Sequence, residues 1–319
     1  MKLGFPLVLT SRATLTPGVD GYIAFDAAQL QTPNREAFAL DEIRFHADCG
    51  LGTLADDQLP PSNYGDISVA PIPADDAGLF LEIKLRMGPY SICEAIPMWA
   101  LSSVRDLVLE GASWRFPLAK SMFIPSGSGV VAQARLATRT VGGVVRYPSF
   151  AYTQTNINLS ASLVGRVVTA DFPRTSTVPY ISAYKPNAKA QGQSFLSLET
   201  DLHNPLSKDL DLRYGLGRMG LLRSFLGGGL AEAAYSGDCA DVRMACNCRM
   251  ALGNRPIIAH QSEFNVSFDP CSRVLNLGGL TLGSGERLTF QADAPVYAPL
   301  TADAWAPVVS FVSDRKENV

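Results

Sequence analysis

The glycine-rich run GLGRMG (residues 215–220) has the spacing of a dinucleotide-binding turn, in which glycines let the backbone approach a pyrophosphate at a helix N-terminus. It follows the strand-like segment DLDLRY and precedes the best helix candidate of the chain. That segment alternates polar and apolar residues, whereas the central parallel strand of a dinucleotide-binding fold is continuously apolar. No βαβαβ pattern surrounds the run. We therefore predict a glycine-rich loop here, and no cofactor.

Three of the six cysteines lie close together and could supply thiolates to a zinc ion: Cys239, Cys246 and Cys248. A structural zinc site needs four ligands, and this stretch has neither a C-x-x-C pair nor a flanking histidine pair. The three histidines are scattered singly along the chain: His46, His203 and His260. Cysteine is commonly a buried small apolar residue, so burial is the preferred interpretation. Metal binding by these three thiols stays open, and no metal site is predicted.

Hydrolytic chemistry has weak support in the sequence. There is no G-x-S-x-G nucleophile motif, and the two Gly-Ser-Gly triplets at 127–129 and 283–285 are typical of hairpin turns. Neighbouring acids could supply the carboxylate pair of a glycosidase, but acids in Pro/Asp-rich loops usually lie on the solvated surface. These acids are Asp41-Glu42, Asp56-Asp57 and Asp75-Asp76. We predict no catalytic, cofactor-binding or metal-binding residue.

The elements that would position such residues are mostly strands, because the hydrophobic pattern has a period of two. The clearest examples are LFLEIKLRM (79–87), EFNVSFD (263–269) and ERLTFQA (286–292). Further strands are predicted at 21–26, 43–48, 104–110, 129–137, 147–153, 195–200, 209–214 and 256–260. Half-buried antiparallel strands at short spacing indicate a sandwich or a barrel. The best helix candidate is 220–235, with three glycines in its middle.

Two stretches of the first half have an echo in the second half. LQTPNREAFAL (30–40) matches LHNPLSKDLDL (202–212), and FIPSGSGVVAQARL (123–136) matches GLTLGSGERLTFQA (279–292). The order of the two echoes is preserved, which favours a duplicated sandwich over a chance match. We predict an N-terminal arm at 1–19, a first sandwich at 20–155, a connecting segment at 156–192, a second sandwich at 193–300 and a C-terminal tail at 301–319.

Composition narrows the class of protein. Of 319 residues, 47% are hydrophobic and only 18% are charged, and this pattern fits a surface largely covered by other subunits. The net charge of −3 argues against a surface that grips nucleic acid throughout. Six cysteines in this length are not a disulfide framework, and Pro6 and Arg12 make the first residues a poor secretory signal. We expect folding in a reducing cytosol.

The chain resembles a double jelly-roll major capsid protein, the shell subunit of tailless and often membrane-containing viruses and phages. The residues that carry the resemblance are the strand–turn–strand unit at 123–131, its echo at 280–290, and the pairs Leu30/Pro33 and Leu202/Pro205. The resemblance implies an all-β fold of two consecutive jelly-roll β-sandwiches with minor helical excursions. It also implies a non-enzymatic subunit that self-assembles as homotrimers into pseudo-hexagonal capsomers of an icosahedral shell.

The implied partners are other copies of the chain, the capsid lattice and further virion proteins such as a vertex protein, with contact to an internal membrane or genome left open. No small-molecule substrate is expected, and the implied location is the virion, assembled in the host cytoplasm. Two alternatives stay open. One is a two-sandwich hydrolase of glycans or glycoproteins that uses acids such as Asp75, Asp76 or Glu94, since two packed jelly rolls also occur in amide-cleaving deglycosylases. The other is a carbohydrate-binding module.

Overall fold

The computed structural model consists almost entirely of β-strands. It describes residues 2–16, 21–33, 36–48, 81–98, 105–106, 112–136, 139–141, 144–146, 157–170, 173–184, 187–191, 195–221, 243–245, 248–261, 265–267, 275–295 and 305–318. One 3-10 turn lies at Ala27–Leu30, and Asp26 caps it by accepting a hydrogen bond of 3.0 Å from the amide of Ala28. The predicted all-β class is confirmed.

The described residues of the first half form eleven strands. They are β1 (Lys2–Leu15), β2 (Ile23–Ala24), β3 (Ala37–Asp48), β4 (Leu81–Met87), β5 (Tyr90–Pro97), β6 (Arg105–Asp106), β7 (Ala112–Ile124), β8 (Val130–Leu136), β9 (Arg139–Val141), β10 (Val144–Arg146) and β11 (Ile157–Ala170). The longer strands alternate buried and exposed residues, as the period of two predicts.

Eight of these strands form an antiparallel ribbon that is rolled into two sheets. The ribbon pairs are β1 with β11, β2 with β8, β3 with β7, and β4 with β5. In addition, β11 pairs with β3 and β8 with β4, which gives the sheet orders β1-β11-β3-β7-β6 and β2-β8-β4-β5. This arrangement is a jelly roll, in which two Greek keys fold two sheets over one core.

The second half contains the remaining strands. They are β12 (Thr175–Tyr184), β13 (Asn187–Gln191), β14 (Phe195–His203), β15 (Leu210–Leu221), β16 (Arg243–Ala245), β17 (Cys248–Leu252), β18 (Arg255–Gln261), β19 (Asn265–Ser267), β20 (Leu275–Leu282), β21 (Arg287–Pro295) and β22 (Trp305–Asn318).

The second half repeats the pairing pattern of the first. Its ribbon pairs are β12 with β22, β14 with β21, β15 with β20, and β17 with β18, and the cross pairs are β22 with β15 and β21 with β17. The resulting orders are β12-β22-β15-β20 and β13-β14-β21-β17-β18. The fold is therefore two consecutive jelly rolls, as the sequence predicts.

The echoes found in the sequence occupy equivalent places in the two rolls. Pro33 and Pro205 each precede the third ribbon strand, β3 or β15. The turns after β7 and β20 close with amide-to-carbonyl hydrogen bonds from Ser128 to Pro125 and from Glu286 to Gly283. The third residue of each turn is a glycine with positive φ, Gly127 (78°) and Gly285 (76°). By this criterion Gly127 is equivalent to Gly285. The triplet at 127–129 therefore begins at this position of the turn, whereas the triplet at 283–285 ends at it, a shift of two residues.

The strands that close each roll come from segments for which the sequence predicts an arm, a connection and a tail. β1 lies within 1–19, β11 and β12 lie within 156–192, and β22 lies within 301–319. Because the first strand of each roll pairs with its last, these segments belong to the sheets of the structure.

The predicted glycine-rich loop at 215–220 is wrong, because these residues lie in β15 and pair with β22 along its length. A Cβ atom at Gly215 would lie 3.3 Å from Cε1 of Phe311, so the glycine leaves room for a buried aromatic ring. Residues 220 and 221 of the predicted helix also belong to β15. The rest of that helix lies outside the described residues.

Candidate subunit-contact edges

The two rolls meet where β5 of the first lies parallel to β12 of the second, with Cys93 opposite Ile181. This contact joins two sheets into one of eight strands, in the order β2-β8-β4-β5-β12-β22-β15-β20. Parallel strands cannot be joined by a short hairpin, so this contact joins two sheet edges that are distant in sequence. We call it the roll–roll junction.

Apolar side chains of the second roll fill the junction. Val178, Ile181 and Val312 are at most 1% exposed, and they belong to the same hydrophobic cluster as the core of the first roll. β12 and β22 therefore direct part of their apolar surface towards the neighbouring roll. Burial of this surface removes apolar area from water and stabilises the junction.

A buried arginine adds polar contacts to the junction. The Nη2 atom of Arg315 donates to the carbonyl oxygen of Ser91 at 2.6 Å, and its Nε atom donates to Glu317 at 2.8 Å. Burial lowers the pKa of Arg315, and the adjacent carboxylate of Glu317 partly offsets this effect. Glu317 in turn accepts a hydrogen bond from Lys208. The hydroxyl of Tyr90 donates to the carbonyl oxygen of Asn318 at 2.6 Å, and the amide of Phe123 in β7 donates to the hydroxyl of Ser176 in β12 at 2.8 Å. Among the described contacts, three hydrogen bonds that involve a side chain therefore cross between the rolls.

The repeat identifies β1 as the counterpart of β12. In β1, Val8 lies opposite Val164 of β11, and in β12, Ile181 lies opposite Val312 of β22. The local sequences also match, since FPLV at 5–8 aligns with VPYI at 178–181 in this register. From Pro6 to Val8, the two strands therefore hold equivalent positions residue by residue.

Two apolar residues of β1 are exposed, whereas the residues aligned with them in β12 are buried. Phe5 is 60% and Val8 is 56% exposed, and these are two of the three exposed large hydrophobic residues in the described part of the chain. Phe5 lies in an irregularity of the pairing between Leu3 and Pro6, where the strand departs from the regular ladder. Among the described strands, β1 has β11 as its only neighbour, so no described strand lies on its outer edge.

The repeat likewise identifies β18 as the counterpart of β5. The hairpins β4–β5 and β17–β18 both turn through two residues that begin with a glycine of positive φ, Gly88 (53°) and Gly253 (55°). Counted from these turns, Cys93 and Ile258 are equivalent: Cys93 lies opposite Leu85, and Ile258 lies opposite Met250. β18 ends the order of its described sheet, as β5 would without β12.

Among the acids weighed for hydrolysis, the described residues Asp41, Glu42 and Glu94 are each bonded to different partners. Glu94 is exposed on β5, where it accepts a hydrogen bond of 2.9 Å from Ser91. Glu42 accepts hydrogen bonds from Arg115 at 2.5 Å and from Arg44 at 2.8 Å. Asp41 accepts one from Ser121 at 2.5 Å. The paired acids at 56–57 and 75–76 lie outside the described residues.

The metal-ligand candidates are only partly described. Cys239 and Cys246 lie outside the described residues, and Cys248 begins β17. His46, His203 and His260 lie in three different strands, β3, β14 and β18. In the described part of the chain, no three His, Cys, Asp or Glu side chains are grouped closely enough to hold a metal ion. A search of the same residues for a long, apolar, membrane-crossing helix finds none.

Sequence reasoning missed β1 as a candidate contact edge. The FPLV/VPYI match is a weak signal for it, because its offset of 178 − 5 = 173 differs by one residue from the offset of 205 − 33 = 172 in the Pro33/Pro205 echo.

No protein-family model and no curated protein sequence matches the chain. Among solved structures, it is similar to the major capsid protein P2 of bacteriophage PM2, with a TM-score of 0.40 and 8% identity over 98% of both chains. It is similar to the mavirus major capsid protein, with a TM-score of 0.36 and 10% identity over 96% of this chain and 87% of that one. It is also similar to a peptide-N(4)-(N-acetyl-β-D-glucosaminyl) asparagine amidase, with a TM-score of 0.35 and 10% identity over 97% and 96%. These values leave the family of the chain unassigned.

Proposed function

We propose that the chain is a structural virion protein, a major capsid subunit that associates with copies of itself as a homotrimer and then as a shell. One observation carries the proposal: the chain buries the roll–roll junction internally, and both counterparts of that junction, β1 and β18, end their sheets in the described part of the chain. A protein with one covered and one uncovered copy of the same contact is built to continue the contact with a neighbour.

The proposed contact is head-to-tail, because β1 and β18 are different surfaces of one chain. Such a contact forms a ring when its rotation closes. In a trimer of this chain, three junctions lie within chains and three lie between them, so six similar rolls alternate around the ring. This is the pseudo-hexagonal capsomer that the double jelly-roll resemblance implies.

The composition supports a subunit with large permanent interfaces. Obligate interfaces are more apolar than transient ones, and only 18% of the residues are charged. The proposed partners are copies of the chain and other virion proteins, and the proposed location is the virion. No catalytic role is proposed.

Mass photometry of the purified full chain, followed by negative-stain microscopy, tests the proposal. We expect the mass of three chains at nanomolar concentration, and rings or shells at higher concentration. A chain that stays monomeric at every concentration contradicts the proposal. So does reproducible turnover of a panel of glycopeptides by a monomeric chain, because that result would promote the hydrolase alternative.

A further inference from the structure

The exposed apolar residues of β1 correspond to residues of β12 that are covered by another part of the same chain. The structure therefore shows which kind of surface covers this position. Ile181 is 1% exposed and Val178 is fully buried, and β5 and the core of the first roll cover both. Val8 is the positional equivalent of Ile181, since the two residues hold the same register against β11 and β22. Phe5 precedes Pro6, the equivalent of Pro179, and aligns with Val178 in sequence. The surface that covers Ile181 therefore defines the shape of surface that fits Val8.

The counterpart of that covering surface lies in the second roll. Cys93 is the β5 residue opposite Ile181, and Ile258 of β18 is its equivalent. Within one chain, β18 and β1 have no described neighbour on their outer sides. A contact between Val8 and Ile258 thus requires two copies of the chain.

The residues at the β1 edge favour pairing with a strand of another protein molecule. Natural edge strands are usually protected by charged side chains, short length or coverage. β1 is 14 residues long and carries Phe5, Pro6 and Val8 on accessible positions. The proline does not prevent such docking, because its equivalent, Pro179, lies in the covered strand β12.

On these grounds, and resting on the self-association proposed above, we propose that β1 of one copy pairs in parallel with β18 of the next, with Val8 opposite Ile258. The pairing repeats the Ile181–Cys93 contact between chains. It buries Phe5 and Val8 against the second roll of the neighbour, as Val178 and Ile181 are buried against the first roll.

Two variants separate assembly from folding. Val8→Asp places a charge on a side chain that is exposed in the free chain, so the folded monomer keeps its thermal midpoint. In the trimer the same charge would be buried, and we expect the dissociation constant to rise by about 30-fold or more. Ile181→Asp is the matched control at the equivalent position, where the charge is buried within one chain and we expect loss of the folded state itself.

A cysteine pair tests the register directly. Val8→Cys and Ile258→Cys are made in separate chains, mixed and oxidised, because neighbouring strands hold Cα atoms at a separation that a disulfide can span. We expect a disulfide-linked dimer of chains on a non-reducing gel. Each single variant alone, and Thr14→Cys mixed with Ile258→Cys, serve as controls that should give little of this product.

The outcomes separate the two proposals. A wild-type chain that never associates overturns the self-association and the pairing together. A wild-type trimer whose dissociation constant is unchanged by Val8→Asp, or a trimer in which Val8→Cys and Ile258→Cys give no more linked product than Thr14→Cys, overturns the pairing and leaves the trimer standing.

Discussion

Arg315 of the second roll donates a hydrogen bond of 2.6 Å to the carbonyl oxygen of Ser91 in the first roll. The guanidinium group is almost fully buried and also holds Glu317, so one side chain links β22, the junction and the loop that carries Lys208. Charged groups with this degree of burial are costly unless every partner is present. Several consequences of this and other contacts can be measured.

Arg315→Met is expected to lower the free energy of unfolding by about 3 kcal/mol, because it removes one partner from a buried ion pair and leaves Glu317 with Lys208 alone. Chemical denaturation monitored by tryptophan fluorescence measures the change. Arg86→Ala is the control, since Arg86 is exposed and lies 4.0 Å from Glu94. Its expected effect is within about 0.5 kcal/mol. Equal losses for the two variants would contradict a structural role for the junction arginine.

Stability is expected to fall in acid through Glu42. Burial raises the pKa of Glu42, but hydrogen bonds from Arg115 and Arg44 lower it by more, so the net pKa lies below its usual 4.5. A carboxyl with a lowered folded-state pKa stabilises the protein above its unfolded pKa, and this stabilisation is lost as the pH falls through the folded pKa.

Glu42→Gln should therefore cost about 1–2 kcal/mol near pH 7 and progressively less as the pH falls below about 4.5. Urea midpoints measured at intervals between these conditions give the profile. Glu94→Gln, on the exposed face of β5, should leave the profile unchanged. A pH-independent cost for Glu42→Gln would show that shape, not charge, determines its contribution.

Asn204 fastens the loop before β15 to the turn after β20. It is 1% exposed, and its Nδ2 atom donates to the carbonyl oxygens of Lys208, Leu282 and Gly283 at 2.9, 3.0 and 3.1 Å. Asn204→Ala leaves buried carbonyl groups without this donor, and we expect a loss of about 2 kcal/mol in the free energy of unfolding. Asn158→Ala is the control, because Asn158 is exposed and bonds only Thr14 among the described contacts. Similar losses for the two variants would contradict the role given to Asn204.

Cys93 is expected to resist thiol reagents in the folded protein. It is fully buried at the junction, and burial raises the pKa of its thiol, so the reactive thiolate is scarce. Peptide mapping after a brief alkylation should show this residue unmodified, and modified after prior denaturation. Fast labelling in the native protein would mean that the two rolls separate readily.

The interior strands could be predicted from the sequence because they alternate cleanly, as in LEIKLRM of β4. The first and last strands of each roll were harder to predict. β22 carries Ser313, Arg315 and Glu317 at buried positions. Such polar residues predict an exposed tail from sequence alone, because the tertiary contacts that pair them are not visible there. β1 is interrupted by Pro6, and β11 was assigned to a connection although Leu159, Ala161 and Leu163 alternate regularly.

The candidate edges lay beyond sequence reasoning for a physical reason. Whether Val8 is covered depends on which strand adjoins it, and this information is absent from any single segment. The equivalence of Val8 with Ile181 is readable only when the pairing partners, Val164 and Val312, are known.

The closing of each roll by its first and last strands has a consequence for biosynthesis. Thr10 bonds Ser162, 152 residues later, and Tyr180 bonds Ser313, 133 residues later. Contacts so distant in sequence form slowly, because a long loop must close before they stabilise anything. On the ribosome, the first roll can complete its sheets while the second roll still lacks β22, which lies between β12 and β15. A growing chain would thus expose unpaired strand edges, which chaperones bind and which can misassemble, before it becomes a complete subunit.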